Sequence, residues 1–131
     1  MMASKATFFN DKHILKLIMQ EKSPREQKKL GRLVQGFDKK KWDAVAKDFV
    51  YKGNLAKFTQ NISLKNMLFY TQGTTLVEAN PYDSIWGIGL SKNDLRCKSR
   101  KTWLGTNWLG ETLTKVREDL IWLSGSVMTR L

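Results

Sequence analysis

The stretch Asp38-Lys39-Lys40-Lys41-Trp42-Asp43-Ala44-Val45-Ala46-Lys47-Asp48-Phe49-Val50 decides the first question about the fold. Trp42, Val45, Ala46, Phe49 and Val50 recur at helical spacing, whereas Lys39, Lys40, Lys41, Asp43 and Lys47 fall outward. That pattern is an amphipathic helix with one face buried and the other in water. Asp38 stands where a carboxylate can accept the free amides of a first turn and so predicts the N-cap. The helix continues toward Phe58, with Gly53 as its weak point, since glycine costs about 1 kcal/mol relative to alanine there and lets a helix bend.

Working outward, Ser23-Pro24-Arg25-Glu26 has the form of a capping box with proline at the first helical position, and predicts a helix from Pro24 to about Val34. Asn10 or Asp11 caps an earlier helix that carries Ile14, Leu17 and Ile18 on one face and ends near Glu21. Ser63 opens a short helix through Phe69. The stripe Leu109, Leu113, Val116, Leu120 and Leu123 predicts a last helix starting near Asn107 or Leu109, with Glu111 and Lys115 as an outward pair. Thr75 to Ala79, between Gly73 and Asn80-Pro81, reads as a short strand. The expected class is therefore α+β: one mostly helical domain with a small β element.

The 131 residues include 23 Lys plus Arg against 12 Asp plus Glu, a net charge of +11, and 41% are hydrophobic. An apolar fraction this high excludes a disordered chain. The single cysteine, Cys97, permits no internal disulfide, and the single histidine, His13, no histidine-based metal cluster. A cytoplasmic protein without metal or cofactor is expected. Ile85 to Leu90 is the longest apolar run and contains two glycines, far short of a membrane span, and the opening residues lack the apolar core of a signal peptide. The charge favours anionic partners, whether phosphates on a small molecule, nucleic acid or an acidic membrane.

Asn80 to Thr106 is rich in Gly, Trp, Asp and Arg and poor in periodicity, which marks a functional loop. In it, Trp86 beside Gly87 and Gly89 suits either a place where backbone closely approaches a flat ligand or a core plug with turn glycines. Glu78 and Asp83 are candidates for proton transfer and sugar contacts, Asp83 being equally suited to stabilising a turn. Asn107 and Gly110 open the last helix, where free amides can bind phosphate, with Arg117 following on; Arg117 can equally pair with Asp83 or Glu78. Gln60 and Asn61 can hydrogen-bond a ribose or base edge, or cap the preceding helix. Arg96, Lys98, Arg100 and Lys101 surround Cys97 as a basic cluster that is either plain surface charge or a steering element. Cys97 itself lacks a following histidine and is rejected as a nucleophile.

The order Lys57-Phe58-x-Gln60-Asn61, Leu76-Val77-Glu78-Ala79, Asp83-x-Ile85-Trp86-Gly87-Ile88-Gly89 and Asn107-x-Leu109-Gly110-x-x-Leu113-x-x-Val116-Arg117 resembles the NADAR superfamily, also called YbiA-like proteins. Ser23-Pro24, Gly31-Arg32, Trp42 and Lys5-Ala6 followed by Phe9 and Asp11 extend the similarity from about Met1 to Leu120. The resemblance implies hydrolysis of N-glycosidic bonds at a ribose anomeric carbon, in phosphoribosylated pyrimidines of riboflavin synthesis or in ADP-ribosylated guanine of nucleic acid. It also implies a role for Lys5, whose neutral amine would form an imine with the anomeric carbon if burial or nearby cations lower its pKa. Lys5, Glu78 and Asp83 are thus the catalytic candidates; Gln60, Asn61, Trp86, Gly87, Asn107, Gly110 and Arg117 are the substrate-binding ones.

Family members usually begin a few dozen residues earlier, with a Ser-Asn-Phe-type segment and a Glu-Gln-Tyr triplet. Against that pattern the chain is expected to lack an N-terminal segment, one acid/base glutamate and a strand partner for Leu76 to Ala79. The competing expectation is a non-catalytic module that binds nucleic acid or ADP-ribose, with Trp86, Trp103 and Trp108 as stacking platforms.

Overall fold

A computed structural model describes residues 1–129, with side chains through residue 125. Its α-helices are α1 (Met2–Phe8), α2 (Lys12–Gln20), α3 (Pro24–Gly31), α4 (Lys39–Gln60), α5 (Ile62–Tyr70) and α6 (Trp108–Thr129), with two 3₁₀ turns at Leu95–Lys98 and Arg100–Thr102. Among the described residues there is no strand, so the fold is helical and the expected α+β class is corrected. Thr75 to Ala79 has no strand as neighbour. The Asn107 side chain stands in for one: its Oδ1 accepts from the Glu78 amide at 3.0 Å and its Nδ2 donates to the Leu76 carbonyl at 3.0 Å. A ladder needs successive backbone pairs, and one amide side chain ends the run after a single residue.

The chain divides into two compact units, Met1–Val50 and Tyr51–Leu131. In the first, Ala6, Ile14, Ile18 and Val34 form the core, with Met2, Ala3, Phe9, Leu15, Leu17 and Leu30 packed against it. Burial of Ile14, Ile18 and Val34 contributes about 1.5–3 kcal/mol each. Asp11, not Asn10, caps α2, accepting from the Ile14 amide at 3.0 Å. Ser23 caps α3 at 3.4 Å from the Glu26 amide, but only half of the capping box forms, because the Ser23 amide donates to Glu21 and Glu26 pairs with Lys29. The helix stops at Gly31, which α1 approaches so closely that a Cβ there would lie 2.1 Å from the Met2 sulfur. Trp42 stacks on Phe49 at 5.8 Å, and Phe8 contacts both rings.

In the second unit Leu68, Val116 and Leu120 form the core, lined by Tyr51, Leu55, Phe58, Phe69 and Leu76. Gly53 does not interrupt α4. Asn61 caps α5, the following helix, accepting from the Leu64 amide at 3.2 Å. Of the expected α6 stripe, Val116 and Leu120 are buried, whereas Leu123 is 50% exposed, so the stripe's core role ends at Leu120. Lys115 pairs with Asp119, which also accepts the Tyr51 hydroxyl. No described helix is long and apolar enough to cross a membrane.

Candidate active site

In the second unit the segment from Asn80 to Asn107 folds back on itself and ties into the start of α6. Leu104 donates to the Ile88 carbonyl, Thr106 to Ser84, Asn107 to Gly87, Trp108 to Ile85 and Leu109 to Trp86, all at 2.9–3.0 Å. Backbone can close this tightly only without side chains at the crossings. A Cβ on Gly105 would lie 2.4 Å from the Gly87 carbonyl, and one on Gly87 would lie 2.8 Å from the carbonyl of Asp83 and 2.9 Å from that of Glu78. Asn107, 2% exposed, takes a left-handed φ of 55°, which Asn tolerates better than most side chains.

These bonds revise several expected roles. The first amides of α6 are occupied by the loop's own carbonyls, so Asn107 is a structural bracket and its amide is not free to hold a phosphate. Gly110 lets the extended segment lie against the helix: a Cβ there would come within 2.2 Å of the Leu76 carbonyl. Arg117 is 3% exposed and pairs with neither Asp83 nor Glu78. Its guanidinium donates to the Thr71 carbonyl at 2.8 Å, the Thr71 hydroxyl at 3.0 Å and the Thr74 carbonyl at 3.0 Å, and it pairs with Glu118. The turn after α5 is thereby clamped to α6, a role that Thr71 and Thr74 gave no sequence signal for.

Asp83 uses Oδ1 to accept the amides of Ile85 at 3.0 Å and Trp86 at 2.8 Å, which fixes the loop that presents Trp86. The half-buried Trp86 ring meets Trp108 edge-on at 5.5 Å. The Glu78 carboxylate has no hydrogen-bonding or ionic partner among the described residues, although its backbone is held on both sides. It lines a small cavity of about 120 Å³ with Leu76, Val77, Leu109, Gly110 and Leu113. Gln60 ends α4 on the surface, and Asn61 is committed to its cap.

The basic segment is built rather than loose. Arg96 forks onto Asp94, and this pairing lowers the Asp94 carboxyl to about 2. Trp103 donates its indole N–H to the Cys97 carbonyl at 2.8 Å, and Arg100 lies 5.2 Å over its ring. The Cys97 thiol donates to the Ser91 carbonyl at 2.9 Å. Lys98 and Lys101 are exposed and have no partner among the described residues. No group of three His, Cys, Asp or Glu side chains able to hold a metal occurs among the described residues.

Lys5 belongs to the first unit. From α1 its Nζ donates to the Gly31 carbonyl at 2.7 Å and sits 4.1 Å from the centroid of the Phe37 ring. Desolvation by burial and, second, the Arg32 charge push its pKa below the usual lysine value. Phe37 follows Gly36, whose φ of +72° turns the chain, and packs edge-on against Phe9 at 5.4 Å. Neither Phe37 nor Arg32 was a site candidate in the sequence, although Gly31-Arg32 belonged to the family resemblance and Phe37 follows the turn glycine Gly36.

A family model described as NADAR domain matches residues 1–121. The chain is 45% identical over 121 residues to protein irg-1 of Caenorhabditis elegans, covering 91% of this chain and 57% of that protein. It is 42% identical over 119 residues to N-glycosidase R617 of Acanthamoeba polyphaga mimivirus, covering 91% of this chain and 70% of the relative. It is also 33% identical over 112 residues to the chloroplastic riboflavin biosynthesis protein PYRR of Zea mays, which it spans for only 16% of that protein's length.

Proposed function

The chain belongs to the NADAR domain family, and from that membership we propose that it is an N-glycosidase acting on a phosphoribosyl or ADP-ribosyl substrate. The observation that carries the reading is the 42% identity to a viral protein named N-glycosidase, over 91% of this chain. The relative named for riboflavin biosynthesis supports a phosphoribosylated pyrimidine as one substrate. ADP-ribosylated guanine is the other, and the net charge of +11 suits both anions.

In this reading Lys5 supplies the amine. Its lowered pKa raises the fraction that is neutral near pH 7, and only the neutral form has a lone pair to attack carbon. As the bond from the ribose anomeric carbon to the base nitrogen breaks, its electron pair leaves on nitrogen, which takes a proton from a carboxylic acid. The lysine nitrogen bonds to the carbon and loses a proton to the carboxylate just formed. The bond from that carbon to the ring oxygen then breaks, its electron pair leaving on the oxygen, which takes that proton. Water hydrolyses the resulting imine to the free sugar and amine. We assign proton transfer to Glu78, whose carboxyl group has no hydrogen-bonding or ionic partner among the described residues. Asp83 acts through the backbone it holds.

The test is release of free base from each substrate class, with cyanoborohydride present to trap the imine. The reading expects a covalent adduct on Lys5, loss of turnover in Lys5→Arg, and slowed turnover in Glu78→Gln. Full activity in Lys5→Arg with no adduct would refute the imine, and no base release from either class would refute the glycosidase.

Lys98 and Lys101, unpaired among the described residues, favour together with Arg100 a second reading in which the segment steers a nucleic-acid-linked substrate. Trp86 and Trp103 are already engaged by Trp108 and Arg100, which argues against free stacking platforms. Replacing Lys98, Arg100 and Lys101 by Gln should flatten the salt dependence of binding to single-stranded nucleic acid; an unchanged slope would dismiss this reading.

A further inference from the structure

The Lys5 ammonium is held on two sides by groups that favour its charged form. One is the Gly31 carbonyl, 2.7 Å from Nζ, and the other is the face of Phe37, at 4.1 Å. The ring's negative face attracts a cation more strongly than it attracts the N–H of a neutral amine. Phe37 is also placed for this rather than loosely draped. Gln35, two residues earlier, donates its amide to Asp11 Oδ2 at 2.9 Å, and the Phe37 ring rests edge-on against Phe9 at 5.4 Å. Yet Phe37 is 44% exposed and lies in the turn between α3 and α4, so an entering molecule can reach the ring and move it without unpacking the core.

We propose that Phe37 is a positioning residue for Lys5: its ring caps the ammonium at rest and must be displaced by the incoming sugar before the amine can attack. The cap and the carbonyl hold Nζ in one place, and loss of the ring removes one of the two partners that favour the cation. Burial and, second, the Arg32 charge act in the opposite direction, disfavouring the ammonium. Displacement leaves burial and the Arg32 charge less opposed, and the ammonium gives its proton to solvent water at this exposed turn as the substrate arrives. Asp11 is committed to the Ile14 and Gln35 amides, and Asp38, which directly follows Phe37 in the turn, accepts the Lys41 amide at the start of α4; neither forms an ion pair with Lys5 among the described residues. This inference rests on the reading of Lys5 as a reactive amine.

The experiment uses ribose 5-phosphate as probe on the full chain. Its open-chain aldehyde condenses with a neutral amine, releasing water, and cyanoborohydride reduces the imine to a stable secondary amine. Peptide mass spectrometry then gives the labelling rate at Lys5 as a function of pH. Phe37→Leu keeps the bulk and removes the aromatic face. It is expected to shift the Lys5 profile to lower pH and raise labelling near pH 7 by about two- to five-fold, the weight of an exposed cation–π contact. Phe37→Trp, which restores an aromatic face, is expected to label at or below the unsubstituted rate.

A leucine variant that labels at the same rate or more slowly overturns the proposal, as does a tryptophan variant that behaves like leucine. Absence of Lys5 labelling at any pH overturns it as well. The labelling does not depend on turnover, so the two failures separate. Full glycosidase activity in Lys5→Arg would sink the imine reading while leaving the Phe37 result to stand or fall by its own pH profile.

Discussion

Replacing Asn107 by alanine tests whether one side chain substitutes for a β-strand. Asn107 makes two hydrogen bonds across 29 and 31 residues of sequence, to the Glu78 amide and the Leu76 carbonyl, at a site 2% exposed. Removing both leaves a donor and an acceptor without partners, at about 2–4 kcal/mol together. Alanine must also hold the left-handed φ of 55°, which adds about 1 kcal/mol. The expected loss is about 3–5 kcal/mol from a total stability of about 5–15 kcal/mol. For 131 residues this corresponds to a fall in melting temperature of about 10–18 °C. Circular dichroism during urea and thermal unfolding measures it. Asn107→Gly separates the terms, since glycine takes the positive φ freely and should recover about 1 kcal/mol of the alanine loss. Hydrogen exchange at the Glu78 amide supplies the local readout and should accelerate in both variants. If Asn107→Ala melts within about 3 °C of the unsubstituted chain, or if the Glu78 amide exchanges at an unchanged rate, the bracket carries no energy and the reasoning is wrong.

Two other substitutions probe α6. Arg117→Lys keeps the charge but cannot reach Thr71 and Thr74 with a planar fork, and it should cost about 2–4 kcal/mol by denaturant titration; a loss under 1 kcal/mol would deny the clamp. Tyr51 donates its hydroxyl to Asp119, and that hydrogen bond is the first cause raising its pKa above the ordinary tyrosine value. A raised folded-state pKa means the bond's contribution is fully present below the unfolded pKa near ~10 and fades as pH rises through the higher folded value. Tyr51→Phe should therefore lose about 1 kcal/mol at pH 7 and show a weaker decline of stability between pH 9 and 12. Parallel pH profiles for the two proteins would contradict this.

The helices were legible because their signals are local. Asp11, Ser23 and Asp38 cap the turns they precede, accepting amides three residues on, and α4 keeps Trp42, Ala46 and Val50 inward as its spacing requires. What the residues could not reveal lies in long-range backbone pairing. Thr75 to Ala79 has the composition of a strand, but a strand is defined by its neighbour, and that neighbour is an asparagine side chain about thirty residues away. The start of α6 looked like an anion site because free amides are the default at a helix N-terminus. Nothing in Ile85, Trp86 or Gly87 announces that their carbonyls turn to fill it. Arg117 looked like a ligand for the same reason: a charge reads as exposed until its burial is known. Lys5 was picked out by family resemblance alone, since one lysine among 23 basic residues carries no pattern of its own.

The closure of the Ser84–Leu109 segment also has a kinetic meaning. Its bonds join Ser84 to Thr106, Ile85 to Trp108 and Trp86 to Leu109, so each requires the intervening chain to be gathered first and the first turn of α6 to exist. Closing a loop of this length costs entropy that is spent before the contacts return anything. The helices, held by local contacts, are then expected to form early on the way to the native state and the closure late. φ-values near zero across Ser84 to Leu109 would bear out that order, and values near one would overturn it. Alterations within the closure should then speed unfolding and leave the folding rate nearly unchanged. The part of the molecule that presents Glu78 and Trp86 is thus the part whose persistence is governed by the barrier to unfolding.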